Sequence, residues 1–225
     1  KRHGHTVRIV TAPNDASARL ALVQQWLSAG SDQVDVLQVD VVWPGLLAAH
    51  LLDLRPLARG EERLHFEGFV ANNTIDGRLV AMPWFANAGL LFYRADLLKK
   101  HGRSVPATWA ALSETAEAIQ RAERAAGDEQ MWGYVWQGRA YEGLTCNALE
   151  WVASHGGGAV VEADGRISVR NPQAEAALRA AAGWVGRITP KAVLNHAEEE
   201  SRLVFQSGRA VFMRNWPYAW ALAQA

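Results

Sequence analysis

Seven residues near the carboxyl end of the chain combine three large aromatic side chains with a proline. The segment Arg214-Asn215-Trp216-Pro217-Tyr218-Ala219-Trp220 follows the apolar run Ala210-Val211-Phe212-Met213, which is typical of a strand that runs into a turn or a helix start. Proline is tolerated in the first turn of a helix, so Trp216 and Tyr218 should flank a helix start. A broad apolar ring with one N–H donor suits ligands that carry both C–H and O–H groups, sugars above all.

Other side chains with sugar-binding chemistry stand at the ends of predicted elements. Charged groups and amides form paired hydrogen bonds with vicinal hydroxyls, and aromatic planes pack against the C–H faces of pyranose rings. Taken singly, each has a simpler explanation, such as a surface charge, a core residue or an acid favoured in the first turn of a helix. Together they predict a ligand site built from both halves of the chain. The candidates are Arg19, Asp40, Phe85, Asn87, Tyr141, Glu142, Trp216 and Tyr218.

Motifs that carry enzyme chemistry are absent from the sequence. There is no G-x-x-x-x-G-K-[ST] loop, no G-x-S-x-G elbow and no H-E-x-x-H pair. His3 and His5 have no third metal ligand beside them, so we predict no metal and no cofactor. The triple glycine Gly156 to Gly158 follows a predicted helix and favours a C-cap. The acidic run Glu198 to Glu200 is typical of the first turn of a helix and needs no function.

A glycoside hydrolase remains an alternative hypothesis. Such an enzyme needs two carboxylates across the sugar, one of them with a pKa raised by burial. Asp40, Glu142 and Glu150 are the acids whose surroundings fit best. Nothing in the sequence brings any two of them face to face, so an enzyme has no support at this level.

Composition indicates a globular chain with room for one large or two small units. Hydrophobic residues make up 49% and charged residues 20% of its 225 residues, as in soluble globular proteins. Basic and acidic residues are balanced at 23 each, and no basic block is interleaved with aromatics. We therefore predict no nucleic acid partner and no anionic membrane partner. Cys146 falls in a helical pattern, which favours a buried, inert thiol.

The first part of the chain predicts a βαβ unit. Thr6 to Thr11 and Val34 to Val39 alternate as strands, and apolar residues recur at helical spacing from Leu20 to Leu27. Consecutive parallel strands need such a crossover, and ligands bind beyond their carboxyl ends. Asp40, the first polar residue after the second strand, is expected at that edge.

A domain boundary is predicted in the middle of the chain. An Asp-Gly turn within Thr74 to Ala81 predicts a hairpin, and the following segment opens with Pro83 and contains Gly89. Extended chain of this kind is expected between two bodies. We predict a partial first lobe over residues 1–83, a hinge crossover over 84–89 and most of a second lobe over 90–225.

Helices and strands alternate through the second part, which predicts an α/β fold. Thr108 is a plausible N-cap for a long helix that ends before Gly127. The expected helices cover 95–101, 108–126, 141–155, 174–188 and 198–206, and the expected strands cover 131–136 and 209–213.

Four segments carry a resemblance to a known family, and they are 35–43, 88–93, 136–144 and 214–220. They closely resemble the corresponding segments of ABC-importer solute-binding proteins, above all those of the trehalose- and maltose-binding branch. The resemblance extends over nearly the entire chain. It implies a two-lobed periplasmic-binding-protein-like fold of type II, in which the lobes close over a disaccharide and present it to a membrane permease.

The resemblance also implies roles for the first four candidates. Arg19 and Asp40 match first-lobe residues that hydrogen-bond the sugar. Phe85 and Asn87 match crossover positions that the family usually fills with tyrosine and aspartate. Phe85 lacks the hydroxyl, and Asn87 replaces a charge-assisted hydrogen bond with a neutral one, so the identity of the sugar is left open.

In the second lobe, the resemblance implies that Trp216 and Tyr218 form the aromatic platform. Tyr141 and Glu142 match a motif near the cleft. Family members begin with a strand and helix before the position of Lys1 and continue beyond that of Ala225, so the chain is expected to be a fragment. Unpaired sheet edges and exposed apolar faces would then leave it poorly stable alone or prone to associate.

The function hypothesis is capture of an α-linked glucose disaccharide, trehalose or maltose, in an interlobe cleft and delivery to an ABC importer. The full-length protein is expected to be a monomer in the periplasm or on the extracellular face of the membrane. A carbohydrate-active hydrolase and a sugar sensor or adhesion module on the same fold are the alternatives.

Overall fold

The computed structural model describes Gly4, residues 6–162 and residues 164–223. The chain divides into two compact units, one reaching to Ala86 and the other beginning at Asn87. This division falls inside the segment 84–89. The hinge role of that segment stays a prediction. None of the helices in the described part of the chain is long and apolar enough to cross a membrane.

Short helices and one hairpin make up the first unit. Its helices are α1 (Ala16–Ser28), α2 (Pro44–Leu47), α3 (Arg55–Ala58) and α4 (Glu67–Asn72), with 3-10 turns at Ala48–His50 and Glu61–Leu64. Asp15 caps α1 by accepting a hydrogen bond from the Ala18 N–H at 3.0 Å. A small core forms around Val23, Trp43 and Leu47.

The predicted Asp-Gly hairpin is confirmed. Strands β1 (Thr74–Ile75) and β2 (Arg78–Leu79) pair antiparallel. Asp76 and Gly77 both take positive φ, 48° and 77°, as a two-residue turn of this kind requires. Arg78 donates to the carbonyl oxygens of Ala48 at 2.9 Å and Leu51 at 3.1 Å, which docks the hairpin on the short helices.

The predicted βαβ unit is wrong for this chain. Residues 6–11 and 34–39 pair with no strand among the described residues. Val7 and Ile9 are both 84% exposed and Val36 is 79% exposed. Alternation makes a segment fit to join a sheet, but a strand forms only where a neighbour supplies the hydrogen-bond ladder. The α1 helix between them is present as predicted.

A three-stranded sheet organises the second unit. Its strands are β3 (Leu90–Tyr93), β4 (Trp132–Val135) and β5 (Ala210–Asn215), with β5 in the centre, antiparallel to β3 and parallel to β4. Every residue of β5 is buried. Phe212 belongs to the larger of two hydrophobic cores and Met213 to the smaller, so helices cover both faces of the sheet.

Side-chain caps begin two of the helices around this sheet, and the cap at Thr108 was predicted from the sequence. Thr108 caps the longest one by accepting from the Ala111 N–H at 3.1 Å, and Asn171 caps another by accepting from the Ala174 N–H at 2.9 Å. The helix predicted to reach Ile188 ends at Trp184 instead, since Gly186 turns into the left-handed region at φ 79°. The helices are α5 (Ala95–Lys100), α6 (Trp109–Ala125), α7 (Glu142–Ser154), α8 (Pro172–Trp184), α9 (Glu198–Gln206) and α10 (Tyr218–Ala223), with a 3-10 turn at Lys191–Asn195.

Candidate functional site

Arg19 lies in α1, and backbone of the first unit engages part of its guanidinium. Nη1 donates to the carbonyl oxygens of Pro13 and Asn14, at 3.2 Å each. The Cζ atom lies 5.4 Å from the centroid of the buried Trp43 ring. Arg19 therefore ties the loop before α1 to the small core. A guanidinium carries five N–H donors, so Arg19 can make these contacts and also donate to a ligand. The ligand contact stays a prediction.

Asp40 organises a turn in the first unit. Its Oδ1 accepts from the Val42 N–H at 3.4 Å, and its carbonyl oxygen accepts from the Trp43 N–H at 3.0 Å. The carboxylate is half-buried and precedes α2. It does not stand at the edge of a parallel sheet, because residues 34–39 form no strand in the described part of the chain. An Asp in such a turn keeps further lone pairs for another donor.

Phe85 and Asn87 fall on the two sides of the division between the units. Phe85 is 59% exposed, so the simpler explanation of it as a core residue is wrong. It lines a groove of the first unit with Phe66, Phe69 and Trp84. Asn87 is exposed in the second unit. Both side chains keep the exposure that contact with a ligand requires.

Three contacts hold Trp216 between β5 and α10. Its backbone N–H donates to Asn215 Oδ1 at 2.8 Å. The indole Nε1–H donates to Glu198 Oε1 at 3.2 Å. The guanidinium carbon of Arg214 lies 3.8 Å from the ring centroid, which is close stacking of a cation on an aromatic face. The indole is half-buried, and its plane is fixed from the edge and from one face.

Tyr218 opens α10 and is tied to the neighbouring helix. Its hydroxyl donates to Glu199 Oε1 at 2.6 Å. Burial raises the pKa of the phenol well above its ordinary value, and the hydrogen bond to Glu199 raises it further. The phenol therefore stays protonated and keeps donating, with 39% of the residue exposed.

Tyr141 sits immediately before α7 and is half-buried. The Cζ atom of Arg139 lies 4.7 Å from the centroid of its ring. A Cβ at Gly143 would lie 2.9 Å from Cε1 of the ring, so only glycine allows the ring to rest there. Burial and the nearby Glu198 carboxylate raise the pKa of the phenol. Tyr141 thus lies near the same carboxylate as Trp216.

Glu142, the first residue of α7, accepts a hydrogen bond from the Cys146 thiol at 2.8 Å. Burial and this carboxylate raise the pKa of the thiol to about 12. A thiol that stays protonated is a poor nucleophile, which agrees with the predicted inert thiol, but Cys146 is half-buried and not buried as predicted. Glu142 itself is half-buried at the helix start, where the helix dipole favours an acid.

The first turn of α9 connects these aromatic residues. Glu198 accepts from Trp216 and lies near Tyr141, while Glu199 accepts from Tyr218. From the sequence, these glutamates are interpreted only as acids that the helix dipole favours in a first turn. The structure adds that they hydrogen-bond Trp216 and Tyr218 and that Glu198 lies near Tyr141, so the three aromatic candidates of the second unit come together.

Arg214 and Glu150 are the main residues that sequence reasoning did not assign to the site. Arg214 is 2% exposed. Its Nε donates to Glu150 Oε2 at 3.2 Å, its Nη2 donates to Glu150 Oε1, and its Nη1 donates to Gln137 Oε1 at 3.1 Å. The Gln137 amide in turn donates to the Arg214 carbonyl oxygen at 2.9 Å. A buried cation is thereby paired and hydrogen-bonded, as burial demands.

Gly89 gives this ion pair its room. A Cβ there would lie 2.6 Å from Nη2 and 2.8 Å from Nε of Arg214 and would also overlap the Glu150 carboxylate. The glycine that interrupts the segment before β3 is therefore required by close approach. The sequence shows that a glycine interrupts this segment, but it does not show that Gly89 approaches Arg214 and Glu150, which are far away along the chain.

The acids nominated for hydrolysis are engaged in other contacts. Glu150 neutralises Arg214, Glu142 accepts from a thiol and Asp40 accepts from its own turn. Each of the three carboxylates therefore already has a partner within its own unit. Within the described residues, no group of three or more side chains could hold a metal ion. His3 and His5 lie outside the described residues. The arrangement offers aromatic faces and hydrogen-bonding groups.

Comparisons with known proteins agree on one family. The family model for bacterial extracellular solute-binding proteins matches residues 1–225. A probable ABC transporter-binding protein from Deinococcus radiodurans is 50% identical over 226 residues, covering 100% of this chain and 54% of that protein.

Solved structures give the same answer for the fold. MalE3 of T. maritima, solved with maltose bound, is 41% identical with a TM-score of 0.88, covering 97% of this chain and 55% of that one. A solute-binding protein from Thermotoga lettingae with bound α-D-tagatose has a TM-score of 0.79 at 18% identity, over 93% of this chain and 54% of that one, and shows the fold alone. The α/β, two-lobed type of fold predicted from the sequence is confirmed, and the chain spans about half the length of these relatives.

Proposed function

This chain belongs to the family of bacterial extracellular solute-binding proteins, and we propose that the full-length protein captures a disaccharide of α-linked glucose, maltose or trehalose. The observation that carries the proposal is the Trp216 platform. A large aromatic ring stands between β5 and α10 with its plane fixed by Arg214 and Glu198. Such rings pack against the C–H faces of pyranoses.

The choice of sugar rests on one relative above the rest. The T. maritima protein that is 41% identical to this chain was solved with maltose. At that identity a shared ligand class is a reasonable proposal, whereas the more distant structures inform only on the fold. Trehalose stays beside maltose in the proposal because both present two glucose rings through an α linkage.

The polar half of the site is assigned to Arg19, Asp40 and Asn87. Each keeps donors or acceptors beyond its present contacts, and each would pair with sugar hydroxyls. Phe85 and Asn87 differ from the tyrosine and aspartate that the family usually carries there. The change at Asn87 exchanges an acceptor-only carboxylate for an amide that also donates, and therefore favours a different hydroxyl pattern.

The proposal extends to transport. A member of this family would deliver the sugar to the permease of an ABC importer, and so would act in the periplasm or on the extracellular face of the membrane. A monomeric full-length protein is part of the same proposal. The sugar would be released intact, because the candidate carboxylates of the second unit are held by Arg214 and Cys146.

Calorimetric titration of the full-length protein tests the proposal. We expect saturable binding of maltose or trehalose with one site, and much weaker binding of the monosaccharide glucose, which presents one pyranose ring instead of two. Mannitol serves as a control that carries hydroxyls without a pyranose face. Binding of none of the disaccharides would contradict the proposal.

A parallel assay separates binding from hydrolysis. The same protein is incubated with each disaccharide, and free glucose is measured. A transport protein returns the sugar intact, so no glucose should accumulate above the blank. Catalytic release of glucose that is lost in a Glu142→Gln or Glu150→Gln variant would favour the hydrolase instead.

A further inference from the structure

We propose that Arg214, held in place by Glu150, is a positioning residue that sets the plane of the Trp216 ring for stacking against a sugar. The inference rests on the proposed function and adds two residues to it. Neither would touch the ligand. Both would act through the ring, which stacks on the guanidinium at 3.8 Å from Cζ to centroid.

The guanidinium is itself immobilised. The Arg214 side chain is 3% exposed and its two-point pairing with Glu150 leaves little freedom of rotation. Gln137 fixes the third nitrogen at 3.1 Å. A planar group that is held along its edge presents a rigid flat face, and a lysine ammonium at the same place would not. The Trp216 ring therefore lies on a fixed surface.

This arrangement decides what Trp216 can offer a ligand. One face of the ring is covered by Arg214, and the indole N–H is used by Glu198 at 3.2 Å. The opposite face is then the part left for a ligand. Trp216 would contribute apolar stacking and no hydrogen bond, and the strength of that stacking would depend on how well the ring is held.

Fluorine NMR tests the positioning role without any sugar. The full-length protein is labelled with 5-fluorotryptophan, and the Trp216 resonance is identified by its absence from a Trp216→Phe variant. We expect Arg214→Lys and Glu150→Gln to shift or broaden that resonance. Arg187→Lys is the matched control, since Arg187 forms an exposed ion pair with Glu117 at 2.6 Å in the same unit, and should leave the Trp216 resonance in place.

The Glu150→Gln variant keeps the test decisive if Arg214→Lys does not fold. Glutamine preserves the shape and one oxygen acceptor while removing the charge that fixes the guanidinium. An unmoved Trp216 resonance in a folded Glu150→Gln variant would overturn the proposal, even where other tryptophan resonances change.

A double-mutant cycle tests the functional consequence. We expect Arg214→Lys to weaken maltose binding about tenfold in the wild-type background and by less than about twofold in the Trp216→Ala background, because the ring it positions is then absent. An equal loss of maltose affinity in both backgrounds would mean that Arg214→Lys affects binding independently of the Trp216 ring, and would overturn the proposal.

The two readouts separate the two proposals. A wild-type protein that binds no disaccharide removes the proposed function, while the fluorine spectrum still reports whether Arg214 holds the ring. If the protein binds maltose and the Trp216 resonance is unperturbed in both variants, the proposed function is supported and the positioning role of Arg214 is rejected.

Discussion

Asp40 shows how a single side chain can combine a structural and a binding role. Its Oδ1 accepts from the Val42 N–H at 3.4 Å, so any substitution that removes the oxygen also disturbs the turn. Asparagine keeps that acceptor and loses only the charge. Comparing the two substitutions therefore separates the turn from the ligand contact.

We predict that Asp40→Ala in the full-length protein lowers disaccharide affinity by about 1–3 kcal/mol, since a sugar hydroxyl is left without its acceptor. Asp40→Asn should lower it less, because a neutral acceptor replaces a charged one. Calorimetry gives both affinities and thermal melting serves as the stability control. Wild-type affinity in both variants would remove Asp40 from the site.

At the residue scale, local sequence identified the aromatic side chains and missed what holds them. Trp216 and Tyr218 stand out because a proline and an apolar run surround them. Arg214 lies in the same segment, but its partner Glu150 is 64 positions away along the chain. No local pattern links two such residues, since only the packing of α7 against β5 brings them together.

At the element scale, the sequence predicted best where the signal was local. The Thr108 cap and the Asp-Gly hairpin depend on neighbouring residues, and both are confirmed. The strands over 6–11 and 34–39 depend on a partner that must come from elsewhere, and neither pairs in the described part of the chain. Alternation alone could not supply that information.

The ion pair between α7 and β5 makes a prediction for Gly89. Gly89→Ala places a methyl group against Arg214 and Glu150 and should lower the free energy of unfolding by roughly 1–3 kcal/mol. Gly183, within α8, has open space around it and is the matched control. Gly183→Ala should raise stability by roughly 0.5–1 kcal/mol. Urea unfolding measures both, and equal effects would contradict the close approach.

His196, just before α9, predicts a pH dependence. Burial lowers the pKa of its imidazole in the folded protein below 6.5. As the pH falls through 6.5, His196 binds a proton in the unfolded chain but stays neutral in the folded chain. The free energy of unfolding is therefore highest above this pH. It decreases as the pH falls, until the pKa of the folded state is reached. Among the described residues, its buried Nδ1 has no hydrogen-bond partner.

Urea unfolding at pH 7, 6 and 5 tests this expectation. The loss of stability over that range should shrink in His196→Leu and persist in His50→Leu, where the histidine is exposed in the first unit. The Asp96 carboxyl, whose pKa Arg94 lowers to about 2, contributes stability that falls only at lower pH. An identical pH profile in wild type and His196→Leu would contradict the assignment.

At the scale of the whole molecule, the two units differ in how much they bury. The second unit has two cores around a central strand that is buried throughout. The first has a small core around Val23, Trp43 and Leu47 and leaves Val7, Ile9 and Val36 exposed. Burial of apolar surface is the main source of stability, so the units should open independently.

Hydrogen exchange of this chain measures that difference. Amides of β4 and β5 should exchange slowest, through global opening of the second unit, while those of 6–11 and 34–39 should exchange fastest. Limited proteolysis should cut within the first 86 residues and leave the second unit intact. Uniform protection across both units would contradict this account.

The alternation of helices and strands along the chain predicted the α/β class, and the resemblance of four segments predicted the family. The sequence did not predict the buried cluster of Arg214, Glu150 and Gln137. In this cluster Arg214 belongs to strand β5 and also stacks on the Trp216 ring. That cluster places the Trp216 ring, and the Trp216 ring carries the proposed function.

The most direct test is therefore the affinity of the full-length protein for maltose and trehalose, measured calorimetrically in wild type, Trp216→Phe and Trp216→Ala. We predict that phenylalanine, which keeps an aromatic face and loses an N–H already used by Glu198, retains most of the binding of whichever disaccharide the wild type takes. Alanine should lose about 1–3 kcal/mol or more, as removal of an aromatic anchor does. Wild-type affinity in Trp216→Ala would contradict the account.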